Sequence, residues 1–111
     1  MSKSEKNHVK FAPKEEITFH APSKVNILFH NKRHRILSSL VEKEMTVYDL
    51  KTSLNLNPGV VKRHIDKLLE ADLIVQTRIT TNDFGMNLKY YRARATRFLI
   101  NLEWPRDMSN S

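Results

Sequence analysis

The chain has 111 residues, 19 Lys/Arg against 12 Asp/Glu, a net charge of +7 with histidine neutral, and no cysteine. That length holds one domain with one modest core, and the lack of cysteine excludes disulfides and thiolate metal centres. No apolar run approaches membrane-spanning length and the N-terminus has no apolar signal core, so a soluble, cytoplasmic protein with a polyanionic partner is expected.

Residues 1–22 are polar and read as a flexible N-terminal tail. Lys3, Lys6, Lys10 and Lys14 alternate there with Glu5, Glu15 and Glu16. Ile17-Thr18-Phe19 is a candidate short strand or arm. Ala21-Pro22-Ser23 is a break, with Ser23 a candidate N-cap. Lys24 to His30 then predicts a short first helix with Val25, Leu28 and Phe29 on one face, and Asn31 breaks it. Lys32 to Lys43 predicts the next helix, with Ile36, Leu37, Leu40 and Val41 as its core stripe. Lys32, Arg33, His34 and Arg35 crowd the N-terminus of that helix, against the preference of its dipole. They read as a solvated basic patch, with phosphate contact as the second reading.

Thr46 to Leu69 predicts two short helices joined by a turn. Thr46 suits the N-cap of the first, and Asp49 is the partner of a capping box. Val47, Leu50 and Leu54 recur at helical spacing, and Leu56 plugs the turn. Asn57 followed by Pro58 opens the second helix, because Asn caps and a first-turn proline loses no useful hydrogen bond. Val61, Ile65, Leu68 and Leu69 form its buried stripe. Gly59, Val60, Lys62, Arg63 and Lys67 lie on its other faces. A helix entering the major groove leads with its N-terminal residues, where Lys and Arg meet phosphates or guanine edges. The competing reading is an ordinary surface helix with a solvated basic face.

Ala71-Asp72 ends that helix. Leu73 to Ile79 is rich in β-branched residues and predicts a strand. Thr80 to Asn87 is a polar loop containing Gly85, and Leu88 to Ala93 is a second strand, with Tyr90 and Tyr91 on opposite sides. A long hairpin after a helix-turn-helix is a wing. Asn82 marks its tip and Arg78 and Lys89 its flanks. Phe98, Leu99 and Leu102 predict a final amphipathic helix stopped before Trp104-Pro105. From Asn57 to Arg97 there are eight Lys/Arg against four Asp/Glu, and from Ile36 to Leu56 two against three, so the positive charge sits on the reading head and wing.

From about Val25 to Leu102 the chain resembles the winged helix-turn-helix regulators of the ArsR type. The resemblance is carried by His34-Arg35-Ile36-Leu37, by Val47-Tyr48-Asp49-Leu50, by Val61-Lys62-Arg63-His64-Ile65 with Leu68 to Ile74, and by Lys89-Tyr90-Tyr91-Arg92. It implies a mainly α fold with a small β-hairpin wing (α+β), as a domain over 23–103 with tails at 1–22 and 104–111. It implies a prokaryotic DNA-binding repressor, usually a homodimer on a palindromic operator and often released by an effector. Asn57, Gly59, Val60, Lys62, Arg63, Lys67, Arg78, Asn82 and Lys89 are then the expected contacts with double-stranded DNA. Val25, Phe29, Phe98, Leu99 and Leu102 are the expected dimer interface. Metal-sensing members carry cysteines in the first helix of the pair, where this chain has Thr46 and Tyr48, so that role does not carry over.

Catalysis finds no support in the residues. There is no H-E-x-x-H pair, glycine-rich phosphate loop or nucleophile elbow. Glu42, Glu44 and Asp49 with His30, His34 and His64 make no recognisable metal set, and His64 beside the buried stripe is expected to make a structural hydrogen bond. No cofactor, metal or enzymatic activity is expected. The alternative to a DNA-binding regulator is a winged-helix module that binds protein within a transcription or replication assembly, since fold alone does not assign DNA binding.

Overall fold

The computed structural model describes residues 11–20 and 22–101. Among them the order is β1 (Ile17–Phe19), α1 (Pro22–Leu28), α2 (Asn31–Glu42), β2 (Met45–Thr46), α3 (Val47–Leu54), α4 (Pro58–Glu70), β3 (Ile74–Thr81), β4 (Asn87–Ala93) and β5 (Phe98–Ile100). The helices enclose a core that one antiparallel sheet, in the order β2-β4-β3, closes from the side. Ile36, Leu40, Leu50, Val61, Ile65, Leu68, Leu73 and Ile74 are its largest fully buried side chains. Each contributes about 1.5–3 kcal/mol of burial.

The helix-turn-helix is fixed by local chemistry. Thr46 Oγ1 accepts the Asp49 N–H and Asp49 Oδ2 accepts the Thr46 N–H, both at 3.0 Å, so the capping box forms as expected. α3 ends at Asn55, which takes the left-handed conformation at φ 55°. Asn tolerates that region because its short polar side chain carries little steric cost there. Asn57 then caps α4, accepting the Gly59 N–H at 2.7 Å and the Val60 N–H at 3.4 Å. Leu56 is partly buried between the two helices.

Arginines add to the closure of two helix C-termini. Arg35 Nη2 donates to the Leu54 carbonyl at 3.1 Å, at the C-terminus of α3. Arg92 donates to the Leu40 and Val41 carbonyls at 3.0 and 3.1 Å, at the C-terminus of α2. Those carbonyls have no partner inside the helix and carry its negative pole, so a cation is favoured there.

Several sequence expectations are corrected. The final helix through Phe98 and Leu99 does not form: Phe98–Ile100 is a strand lying parallel to β1, with Ile17 opposite Phe98 and Phe19 opposite Ile100. The Phe19 and Phe98 rings stack at 5.7 Å. Helical spacing in so short an apolar run is weak evidence, and a ready strand edge at Ile17-Thr18-Phe19 outweighs it. The tail assigned to residues 1–22 therefore overlaps the fold, because β1 is paired and Phe19 is buried. α1 starts at Pro22, ahead of Ser23, and ends at Leu28, and Asn31 opens α2 instead of breaking the chain. Leu102 and Trp104 lie outside the described residues.

Candidate nucleic-acid interface

α4 buries Val61, His64, Ile65 and Leu68 and turns its remaining surface outward. Asn57, Gly59, Lys62, Arg63 and Lys67 are exposed and Val60 is half-buried. Lys62, Arg63 and Lys67 enter no ion pair among the described residues. The acids of the helix, Asp66 and Glu70, fall in its C-terminal half. Its N-terminal half therefore combines unpaired cations with the positive pole of the helix, an arrangement suited to anions. Gly59 has a local role as well. A Cβ there would meet the capping oxygen of Asn57 at 3.1 Å, so the missing side chain leaves room for the cap.

His64 joins α4 to α2. It is buried, and its Nδ1 accepts a hydrogen bond from Arg33 Nε at 3.2 Å, as expected of a structural histidine. The His30 ring lies 4.5 Å from it, centroid to centroid. Burial pushes the His64 pKa below its ordinary value, and the nearby charges of His30, Arg33, Arg63 and Lys32 push it the same way. The ring is thus held neutral. Of the basic cluster at the start of α2, Arg33 and Arg35 serve the fold, while Lys32 and His34 are exposed.

The wing is longer than the sequence implies, with β3 and β4 paired from Ile74–Ala93 out to Thr81–Asn87. The register slips between Gln76 and Arg78, making Thr77 a bulge. A bulge bends its strand and re-aims the next side chain. Here Arg78 lies over the Tyr90 ring at 3.9 Å, and its Nε donates to Glu44 Oε1 at 2.8 Å. Thr77 Oγ1 donates to the other oxygen of the same carboxylate. Lys89 is exposed and free of ion pairs among the described residues. Asn82 is occupied within the tip, where its Oδ1 accepts the N–H groups of Phe84 and Met86, both at 2.9 Å. Tyr91 faces the core, and Tyr90 is half-buried beneath Arg78.

Sequence reasoning named Glu44 and Tyr90 without their role in holding Arg78, and passed over Phe84. Nothing local ties Glu44 to Arg78. Phe84 did carry a signal, a large apolar residue between Asp83 and Gly85 in a turn.

A cavity of about 430 Å³ opens between Leu28, Phe29, Leu37, Val41, Phe98 and Ile100. Phe29 is 74% exposed at its rim, and Leu99 is exposed nearby on β5. Val25, expected at a dimer interface, is instead packed inside the chain. Among the described residues no group of three or more His, Asp or Glu is placed to hold a metal ion, and no helix is long and apolar enough to cross a membrane.

Residues 30–75 match the model of the arsR family of bacterial regulatory proteins. No curated protein matches the sequence significantly. Reduced HlyU from Vibrio cholerae superposes with a TM-score of 0.55 at 19% identity, covering 65% of this chain and 70% of that one. The transcriptional repressor BigR from Xylella fastidiosa gives 0.54 at 20% identity, covering 64% of each chain. The homodimeric winged helix-turn-helix DNA-binding domain of Mb0332 from Mycobacterium bovis gives 0.52 at 19% identity, covering 65% of this chain and 61% of that one. At such identities these structures establish a shared fold. The family match covers the helix-turn-helix, and the fold around it is a winged helix-turn-helix, so the chain is a winged helix-turn-helix protein whose residues 30–75 are similar to the arsR family of bacterial regulatory proteins.

Proposed function

We propose that the protein is a sequence-specific DNA-binding regulator, a repressor that acts as a homodimer and is held on the nucleoid by its operators. α4 lies in the major groove, with Lys62, Arg63 and Lys67 on phosphates and base edges, and the wing follows the adjacent minor groove and backbone. The observation that carries this reading is the N-terminal half of α4, which is exposed, capped, free of acids and lined by unpaired cations. Phosphate contacts set affinity and register, while the few side chains that reach base edges set sequence choice. The apolar cavity beside Phe29 and Phe98 supports a second copy as its cover. The Mb0332 domain, of like fold, is described as homodimeric.

The test is binding to the duplex upstream of the protein's own reading frame and to a scrambled duplex, across a salt series. Six to ten neutralised phosphates cost roughly three to five decades of affinity between about 50 and 200 mM salt. A steep slope with preference for the upstream duplex is expected, and Arg63→Ala should weaken binding at an unchanged melting temperature. Feeble, salt-insensitive binding to both duplexes overturns the reading in favour of a protein-binding module. Sedimentation with Phe29→Ser tests the homodimer: a dimer that becomes monomeric is expected, and a wild-type monomer rejects it.

A further inference from the structure

We propose that the wing tip engages DNA by apolar insertion, with Phe84, backed by Met86, entering the minor groove next to the major groove that α4 occupies. This rests on the DNA-binding reading and adds to it a contact of a different chemical kind.

Residues 81–87 at the tip contain no Lys or Arg and one acid, Asp83. The tip therefore has no cation for a phosphate. Arg78, the nearest basic side chain on β3, is drawn back onto Glu44 and the Tyr90 ring. What the tip presents is Phe84, 87% exposed, and Met86, 62% exposed.

The tip is also built to hold its shape. The Asn82 N–H donates to the Met86 carbonyl at 2.9 Å and the Gly85 N–H to the Asn82 carbonyl at 3.0 Å. The Asn82 side chain ties down the N–H groups of Phe84 and Met86. Gly85 sits at φ 80°, a conformation that favours glycine. A side chain presented on a fixed turn loses little freedom on binding.

Size favours a groove over a protein surface. A stable protein interface buries about 800 Å² per partner, well beyond what two side chains on a narrow tip offer. The minor groove is roughly 6 Å wide, a fit for a single inserted ring. Phe and Met are among the residues that wedge between base steps and kink the duplex. Reach agrees as well: β3 has eight residues, or about 25 Å at about 3.3 Å each. Half a duplex turn is roughly 17 Å.

Salt dependence separates this contact from the ionic ones, because an apolar contact releases no counterions. The experiment compares wild type, Phe84→Ser and Arg63→Ala on the upstream and scrambled duplexes across a salt series, with bend angles by end-to-end energy transfer. Phe84→Ser should weaken binding about tenfold or more, leave the salt slope unchanged and reduce the bend. Arg63→Ala should lower both affinity and slope. If Phe84→Ser binds and bends as wild type while Arg63→Ala is weakened, the insertion is rejected and the DNA-binding reading stands. A loss at Phe84 accompanied by a shallower slope also rejects it, since the contact is then ionic. A loss of self-association without a change in DNA affinity assigns the tip to a protein contact instead. If the wild type binds neither duplex, both readings fall. Because Phe84 is exposed, its replacement leaves the fold intact, which thermal melting checks.

Discussion

Arg78 and Glu44 lie 34 residues apart in the sequence and meet at 2.8 Å where the wing leaves the domain. The pair is solvent-accessible, with 47% and 31% of the two side chains exposed, so it adds under about 1 kcal/mol to stability. Its effect is on where the guanidinium sits. Glu44 is thus a positioning residue for Arg78. Glu44→Gln removes the carboxylate charge and releases Arg78 toward a phosphate. Duplex binding at low salt should tighten a few-fold and the salt slope should steepen by about one counterion. An unchanged slope would show that Arg78 reaches no phosphate even when released.

Stability should fall in mild acid because of His64. Its ordinary pKa is 6.5, and in the folded chain it is lower, through burial and the charges of His30, Arg33, Arg63 and Lys32. Above that ordinary value both the folded and unfolded states leave the ring neutral and stability is at its full level. As pH drops below 6.5, the unfolded chain takes up the proton first, and stability is lost until the folded pKa is passed. Denaturant titrations from about pH 8 to 5 should show this decline, and His64→Gln should flatten it. An equal slope in the variant would assign the decline to other groups.

Phe19 tests where the domain begins. It is buried against the core and stacked on Phe98. Phe19→Ala should cost about 3 kcal/mol, in the range for deleting a buried aromatic ring. A change within about 0.5 kcal/mol, as at ordinary surface sites, would mean that β1 adds nothing to the fold.

Asp72 ends α4 in the left-handed conformation, at φ 60°, while the Leu73 N–H closes back on the Leu68 carbonyl at 3.0 Å. That conformation costs a residue with a Cβ about 1 kcal/mol. Asp72→Gly should therefore raise the midpoint of chemical unfolding by a fraction of that amount, after the extra freedom that glycine gives the unfolded chain. A lowered midpoint would mean that the aspartate side chain contributes more than its backbone costs.

Asn57 is both a cap and an expected DNA contact. Asn57→Ala should cost about 1 kcal/mol of stability by stranding the Gly59 and Val60 N–H groups. Asn57→Ser keeps a capping oxygen and should recover most of it. If the serine variant is stable but weak on DNA, the amide itself touches the duplex.

The helix-turn-helix was legible because its signals are local. The Thr46–Asp49 capping box, the Asn57-Pro58 start and the 3.6-residue stripes of α2 and α4 each act within a few positions, and all appear where the residues predict them. The wing's existence was legible for the same reason, since a β-branched run and a tyrosine-bearing run flank a glycine turn. The basic face of α4 followed once its buried stripe was known.

Long-range pairing decided the rest. Phe98–Ile100 became a strand because β1 offered it an edge some 80 residues earlier in the chain. Arg92 and Arg35 became helix caps only once α2 and α3 had been brought beside them. Arg78 counts as a free cation in a charge tally and stands paired in space, and the one-residue bulge at Thr77 is what aims it. Local hydrogen bonds and periodicity are written within a turn or two of the chain. The partner of a charge, and the edge that recruits a strand, depend on segments that meet only after the core has closed.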